Sequence, residues 1–314
     1  MREAYGEVLV ELGREHEDLV VLDADLAKAT RTELFGHIFP ERYFDMGIAE
    51  ANMICTAAGL ALEGFRSIVT TFAVFMPGRN FEQIRNTICY NGLNVKMVAT
   101  HAGVSVGFDG GSHQAIEDIA LARVLPKMEV YSPADIHQTK AVLRYLVTRK
   151  GPAYVRLPRL DRTTIYERET PYRPETDVLR QGADVTIAAT GIMVDLALQA
   201  ADRLGAKGLS CRVLNVHCLK PLDEATLVAA ARETRGIVTV EDHAVIGGLG
   251  SAVADCVTAT APCRLRKLGV KDAFGQSGSC DDVLRFYGLT VEKIVAAALD
   301  LATGADGGGQ HARG

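Results

Sequence analysis

An α/β fold of two doubly wound domains is predicted by three observations. Apolar strand-like runs alternate with helix-like segments along most of the chain, a charged stretch bearing Pro171 and Pro174 interrupts the alternation once, and a glycine-rich loop opens directly from an apolar strand. In the first half the expected strands are Leu19–Asp23, Ser67–Phe72, Val95–Thr100, Glu129–Tyr131 and Ala153–Leu157. Helical segments are expected between them, near 2–15, 49–63, 78–91, 116–123 and 135–149. This places a first domain at 1–165 and a linker at 166–180. The second domain, 181–302, has expected strands near 184–190, 209–216, 236–241 and 264–270 and a closing helix near 291–302. The tail 303–314, rich in glycine, is expected to be disordered.

Composition narrows the function. The 314 residues suit two domains, and 48% apolar with 23% charged residues is ordinary for a globular protein. A net charge of -5 gives no basic face for nucleic acid. No apolar run approaches the ~20 residues that cross a bilayer, so no membrane role is expected. The N-terminus lacks an apolar signal core, so the expected location is cytoplasmic. Seven cysteines, an odd number with no Cys-x-x-Cys pair, read as mostly buried thiols in a reducing compartment.

Residues 99–118 are the most informative stretch. His101, His113 and Asp109 lie among glycines just after the run Val95–Thr100. Glycine lets a backbone approach a ligand closely, and ligands of α/β sheets bind beyond the carboxyl ends of the strands. Imidazoles and a carboxylate there can hold hydroxyls or phosphates and move protons. Zinc ligation by the two histidines does not match the usual ligand spacing, and no metal ligand is assigned. Glu50 opens a helix rich in alanine and glycine, a composition that lets another helix approach closely. It reads either as a first-turn carboxylate favoured by the helix dipole or as a buried acid sharing a proton with a ligand nitrogen, its neutral form favoured by desolvation. Phe72 and Phe75 read either as core or as a face for a flat heterocycle.

Three pieces in this order, Gly47-Ile-Ala-Glu50, Thr71-Phe-Ala-Val-Phe75 and His101 through Asp109-Gly-Gly-Ser-His113-Gln, resemble the pyrimidine-binding domain of transketolase. Val240-Glu-Asp-His-Ala-Val-Ile-Gly-Gly-Leu-Gly-Ser and Gly275-Gln-Ser-Gly resemble the transketolase C-terminal domain, so the likeness covers nearly all of 1–302. The resemblance implies thiamine diphosphate as cofactor. The glutamate matching Glu50 would bond a ring nitrogen of its aminopyrimidine and promote the tautomer that deprotonates the thiazolium carbon. A two-carbon unit then passes from a ketose to an aldose acceptor. Ile48, Phe72 and Phe75 would pack on the cofactor. His101 and His113 would act in catalysis, and His101 and Asp109 would contact the substrate. Arg2, Arg159 and Lys28 would bind its phosphate, a task that suits a guanidinium fork. Without the resemblance, Arg159 is a surface charge beside the linker and Arg2 a frayed end.

Two departures and one absence refine this. Family members often carry serine where this chain has Ala29, with Lys28 or Thr30 as possible substitutes, and many carry an aromatic where it has Gly78. The family's Mg²⁺ motif, Gly-Asp-Gly, does not occur. The expected protein is therefore the C-terminal subunit of a split transketolase. A separate N-terminal, diphosphate-binding subunit holds Mg²⁺ in this scheme, and the two chains form a two-plus-two heterotetramer acting on a small sugar or keto acid. The alternatives are a specialised thiamine diphosphate-dependent C–C bond enzyme of secondary metabolism and a non-catalytic partner subunit. The 2-oxo acid dehydrogenase beta subunit and 1-deoxyxylulose 5-phosphate synthase share the two-domain plan. The former fits the histidine loop less well, and the latter normally has its diphosphate domain attached.

Overall fold

A computed structural model describes residues 1–303, so the tail beyond Thr303 lies outside the described residues. Twelve strands are described, in chain order β1 (Leu19–Asp23), β2 (Tyr43–Asp45), β3 (Arg66–Phe72), β4 (Val95–Thr100), β5 (Glu129–Tyr131), β6 (Ala153–Arg156), β7 (Asp177–Arg180), β8 (Val185–Ala189), β9 (Cys211–Asn215), β10 (Cys218–Lys220), β11 (Ile237–Ala244) and β12 (Leu265–Val270). They form two parallel-rich sheets with the orders β10-β5-β6-β4-β3-β1-β2 and β12-β11-β8-β9-β7. The central strands β1, β4 and β6 are buried throughout. That burial on both faces is why they read as unbroken apolar runs.

Helices cover the sheets with one apolar face each. Arg2–Glu15 buries Tyr5, Val8, Leu9 and Leu12, the spacing of a single helical stripe. Asp135 caps the helix Ile136–Val147, its Oδ1 accepting the Gln138 N–H at 2.8 Å. In the second sheet, Met193–Gly205 and Val291–Thr303 each bury an apolar face.

Several expectations are corrected. The stretch 166–180, read as linker, ends in β7, which runs antiparallel to β9. Its charged ends, Asp177 and Arg180, are those of a half-exposed edge strand and resemble a loop in composition. The helix expected over 78–91 is an α-helix, Met76–Gln83, followed by a π-helical segment, Ile84–Cys89. Strands β2 and β10, three residues each, are too short to carry a periodic signal. Of these, β10 follows the second domain's β9 yet pairs antiparallel with β5 of the first sheet, so the two domains share a sheet edge.

The ends of the parallel strands are level. The register pairs Asp23 with Thr70, Phe72 with Thr100 and Ala99 with Arg156. Beneath those ends the Arg156 guanidinium is almost wholly buried. Its Nε donates to Asp118 Oδ2 at 2.8 Å, and Asp118 is buried too. The Tyr154 hydroxyl donates to the same oxygen at 2.8 Å. Substituting Arg156→Ala strands the Asp118 charge, and the expected cost is about 3–5 kcal/mol. Urea denaturation of the wild type and variant measures it; equal midpoints would show that the pair adds nothing to stability.

Candidate active site

The chemistry-bearing side chains converge where these strands end. After β2 the chain turns through Gly47, at φ +67°, into the helix Glu50–Leu62. Glu50, its first residue, is buried, and the Arg79 Nη1 donates to its Oε1 at 2.7 Å. The Arg79 guanidinium lies over the Phe75 ring, 3.9 Å from its centroid. Phe72 ends β3, and its ring stacks with that of Phe75 at 5.9 Å and 19°.

His101 follows β4 directly. Its φ of +59° is uncommon for a residue with a Cβ. The ring lies against Phe72 with centroids 3.8 Å apart, and Thr100 Oγ1 is 2.8 Å from its Nδ1. His113 stands edge-on to Phe75 at 5.6 Å. Glu50, Phe72, Phe75, His101 and His113, all expected as site residues, thus form one cluster, although 63 positions separate the first from the last.

Burial, reinforced by the positive charges of Arg2 and Arg159, pushes the His101 imidazole down to about 3. It is therefore a neutral hydrogen-bonding group at physiological pH. At the rim, Arg159 Nη1 donates to Asp109 Oδ1 at 3.0 Å and to the Val106 carbonyl at 3.0 Å. Arg2 is not frayed: its Nε donates to the Arg159 carbonyl at 2.8 Å and its Nη1 to the Ala29 carbonyl at 2.7 Å. Lys28 is exposed on the short helix Ala27–Thr30, and Ile48 is 75% exposed before the Glu50 helix. Thr30 does not replace the hydroxyl that Ala29 lacks. It is fully buried and donates to Asp23 Oδ2 at 2.8 Å, facing the sheet.

Two residues with a part in this geometry were not assigned from sequence. Arg79 lies four positions after Phe75, and that helical spacing is the signal that stacks the pair. Asp242, whose carboxylate reaches the 103–105 backbone, has no local signal, because its partner amides are 137 and 138 positions away.

Family models match both halves of the chain: the transketolase pyrimidine-binding domain over residues 1–163 and the transketolase C-terminal domain over 175–294. The chain belongs to the transketolase family. A relative from Methanocaldococcus jannaschii named for a transketolase C-terminal section is 46% identical over 96% of this chain and 95% of its own. A Clostridium protein named 6-deoxy-6-sulfo-D-fructose transketolase subunit SqwH is 41% identical, over 95% of this chain and 93% of its own. A solved structure described as a split gene transketolase, inactive beta4 tetramer, superposes with a TM-score of 0.90 at 50% identity, over 96% of this chain and 98% of that one.

Transketolase-family enzymes use thiamine diphosphate, and the residues present fit its aminopyrimidine. A buried acid is held by a half-exposed arginine whose guanidinium lies over Phe75, one of two stacked phenyl rings. Among the described residues no group of three or more His, Cys, Asp and Glu side chains is arranged to hold a metal ion. No described helix is long and apolar enough to cross a membrane.

The His101 shift has a consequence for stability. The unfolded imidazole titrates near 6.5 and the folded one near 3, so between those values the unfolded chain binds more protons. Folding stability therefore falls as pH drops from 6.5 towards 3. Substituting His101→Gln is expected to shrink this acid-side slope, read from urea midpoints at pH 7 and pH 4.5. An identical slope in the variant would mean the ring is open to protons in the native state.

Proposed function

We propose that this chain is the pyrimidine-side subunit of a two-chain transketolase. The complex transfers a two-carbon ketol unit from a ketose or ketose phosphate to an aldose acceptor. The observation that carries the reading is the cluster of Glu50, Phe72, Phe75, His101 and His113 at the strand ends. An N-terminal diphosphate-binding subunit supplies the rest of the site and the Mg²⁺, and the chains assemble two plus two. Relatives of matching length, themselves named as a section and a subunit of transketolase, support this division.

When bound, thiamine diphosphate supplies the carbon nucleophile that takes up the two-carbon unit. The chain's own residues orient and manage protons around it. Phe72 and Phe75, with the exposed Ile48, would pack against the pyrimidine. Glu50, now paired with Arg79, would hold a proton at its carboxyl towards a ring nitrogen. His101 and His113 hold substrate hydroxyls and carbonyl oxygen. The neutral His101 ring does so without adding charge. Asp109 orients Arg159 through their ion pair, while Arg2, Arg159 and Lys28 present cationic groups to a terminal anion.

A second reading within the same chemistry is a transketolase specialised for a less usual donor. Ala29 favours it, because no hydroxyl stands at that position and Thr30 is committed to Asp23. The 41% identity to a sulfofructose transketolase subunit also supports it.

Co-expression with the diphosphate-domain chain, followed by assay with thiamine diphosphate, Mg²⁺ and a panel of ketoses and 2-oxo acids, tests both readings. Glu50→Gln in the assembled enzyme is expected to lower kcat roughly 10³-fold, within the range general acid–base groups contribute. Turnover unchanged by that substitution would make this chain a non-catalytic partner. Light scattering should give a mass of two copies of each chain, and turnover by the purified chain alone would overturn the split-site scheme.

A further inference from the structure

We propose that Asp242, in the C-terminal domain, is a positioning residue for His101 in the pyrimidine-binding domain, acting through the backbone amides of Val104 and Ser105. Asp242 lies in β11 and is 2% exposed. Its Oδ1 accepts the Val104 N–H at 2.8 Å, and its Oδ2 lies 3.4 Å from the Ser105 nitrogen. These amides lie three and four residues after His101, so the acid of one domain clamps the loop that carries the imidazole of the other.

The surroundings are built for this contact. Gly103 has φ +78°, and a Cβ there would lie 2.1 Å from Asp242 Oδ2, so glycine alone leaves room for the carboxylate. The Gly103 N–H donates to the Ala115 carbonyl at 3.0 Å, and the Ala102 N–H donates to the Leu157 carbonyl at 3.1 Å. Arg156 fixes the other side: its Nη2 donates to the Asp242 carbonyl at 2.5 Å and to the Ala115 carbonyl at 3.2 Å. The two neighbours of Asp242 are committed elsewhere. Glu241 accepts the Leu249 and Gly250 N–H groups at 2.7 and 2.8 Å, and His243 Nε2 accepts the Ile119 N–H at 3.2 Å. Each acidic or imidazole group of Glu241-Asp242-His243 therefore has a separate task, and only that of Asp242 reaches the candidate site. A carboxylate accepting backbone N–H groups makes a charge-assisted bond, stronger than one between neutral groups.

The placement does not depend on the proposed activity; only the use made of the placed imidazole rests on the transketolase reading. The test compares wild type, Asp242→Ala, Asp242→Asn, Gly103→Ala and the Asp242→Ala/Gly103→Ala double variant. In the isolated chain, hydrogen exchange reads the Val104 and Ser105 amides, and NMR titration reads the His101 ring. Loss of one such bond is expected to speed exchange at both amides about tenfold in Asp242→Ala. In the same variant the His101 pKa is expected to rise from about 3 towards 6.5, while amides of β8 and β9 keep their protection. Asp242→Asn retains an acceptor for Val104 and should restore most of the difference. The double variant should be no worse than the poorer single one, because both changes break the same contact.

In the assembled enzyme, kcat should fall with the KM for thiamine diphosphate unchanged. Wild-type exchange and His101 titration in Asp242→Ala would overturn the proposal, as would exchange accelerated equally throughout both domains. A wild-type complex without ketol transfer would defeat the transketolase reading alone, and the exchange result would still decide the role of Asp242.

Discussion

One buried cation, the Arg156 guanidinium, ties together the parts on which everything else depends. It meets the Asp118 carboxylate, the Ala115 carbonyl and the Asp242 carbonyl, three acceptors from two segments, one in each domain. Burying an ion pair costs desolvation that Coulomb attraction alone does not reliably offset. Here the guanidinium has several acceptors and Asp118 Oδ2 also receives the Tyr154 hydroxyl, while the buried Asp118 Oδ1 has no hydrogen-bond partner. The pair is consequently less a source of net stability than a joint admitting one arrangement. Moving any member strands a charge in the interior.

That joint explains why the candidate site stands at the edge of a rigid platform. The central strands end level with one another, so residues far apart in sequence emerge side by side. Aromatic packing then fixes the rings: Phe72 lies between Phe75 and His101, with His113 closing the group edge-on. Apolar rings and protein bulk strip water from His101 and keep it neutral. Glu50 has lost its solvent as well, but retains a cation in Arg79. The cluster thus sets a neutral imidazole near a buried, arginine-paired carboxyl group.

The second domain contributes more than a fold of its own. It lends a strand to the first sheet and a carboxylate to the glycine-rich loop. Interfaces between domains in one chain are usually mobile by default. A shared sheet edge and a buried polar joint oppose that mobility here. The glycines at 103 and 107 then serve close approach within a held loop, each at a positive φ.

Much of this was legible in the amino-acid order. Alternation of apolar runs with helical segments determines two α/β units, because strands buried on both faces need continuous apolar side chains. The residue types of Glu50, Phe72, Phe75, His101 and His113 leave structural and functional roles open, and it is the resemblance of their motifs to transketolase that implies the candidate chemistry. Periodicity could not report β2, β7 or β10, whose signals are three or four residues long and whose pairing partners are distant. Nor could it report that Arg79 holds Glu50, that Thr30 turns inward to Asp23, or that Asp242 reaches Val104. Those contacts join segments through space, where register, the burial of polar groups and the need to satisfy each of them decide which donor meets which acceptor. Local sequence determines what each segment is, and only the packed chain decides what each polar group touches.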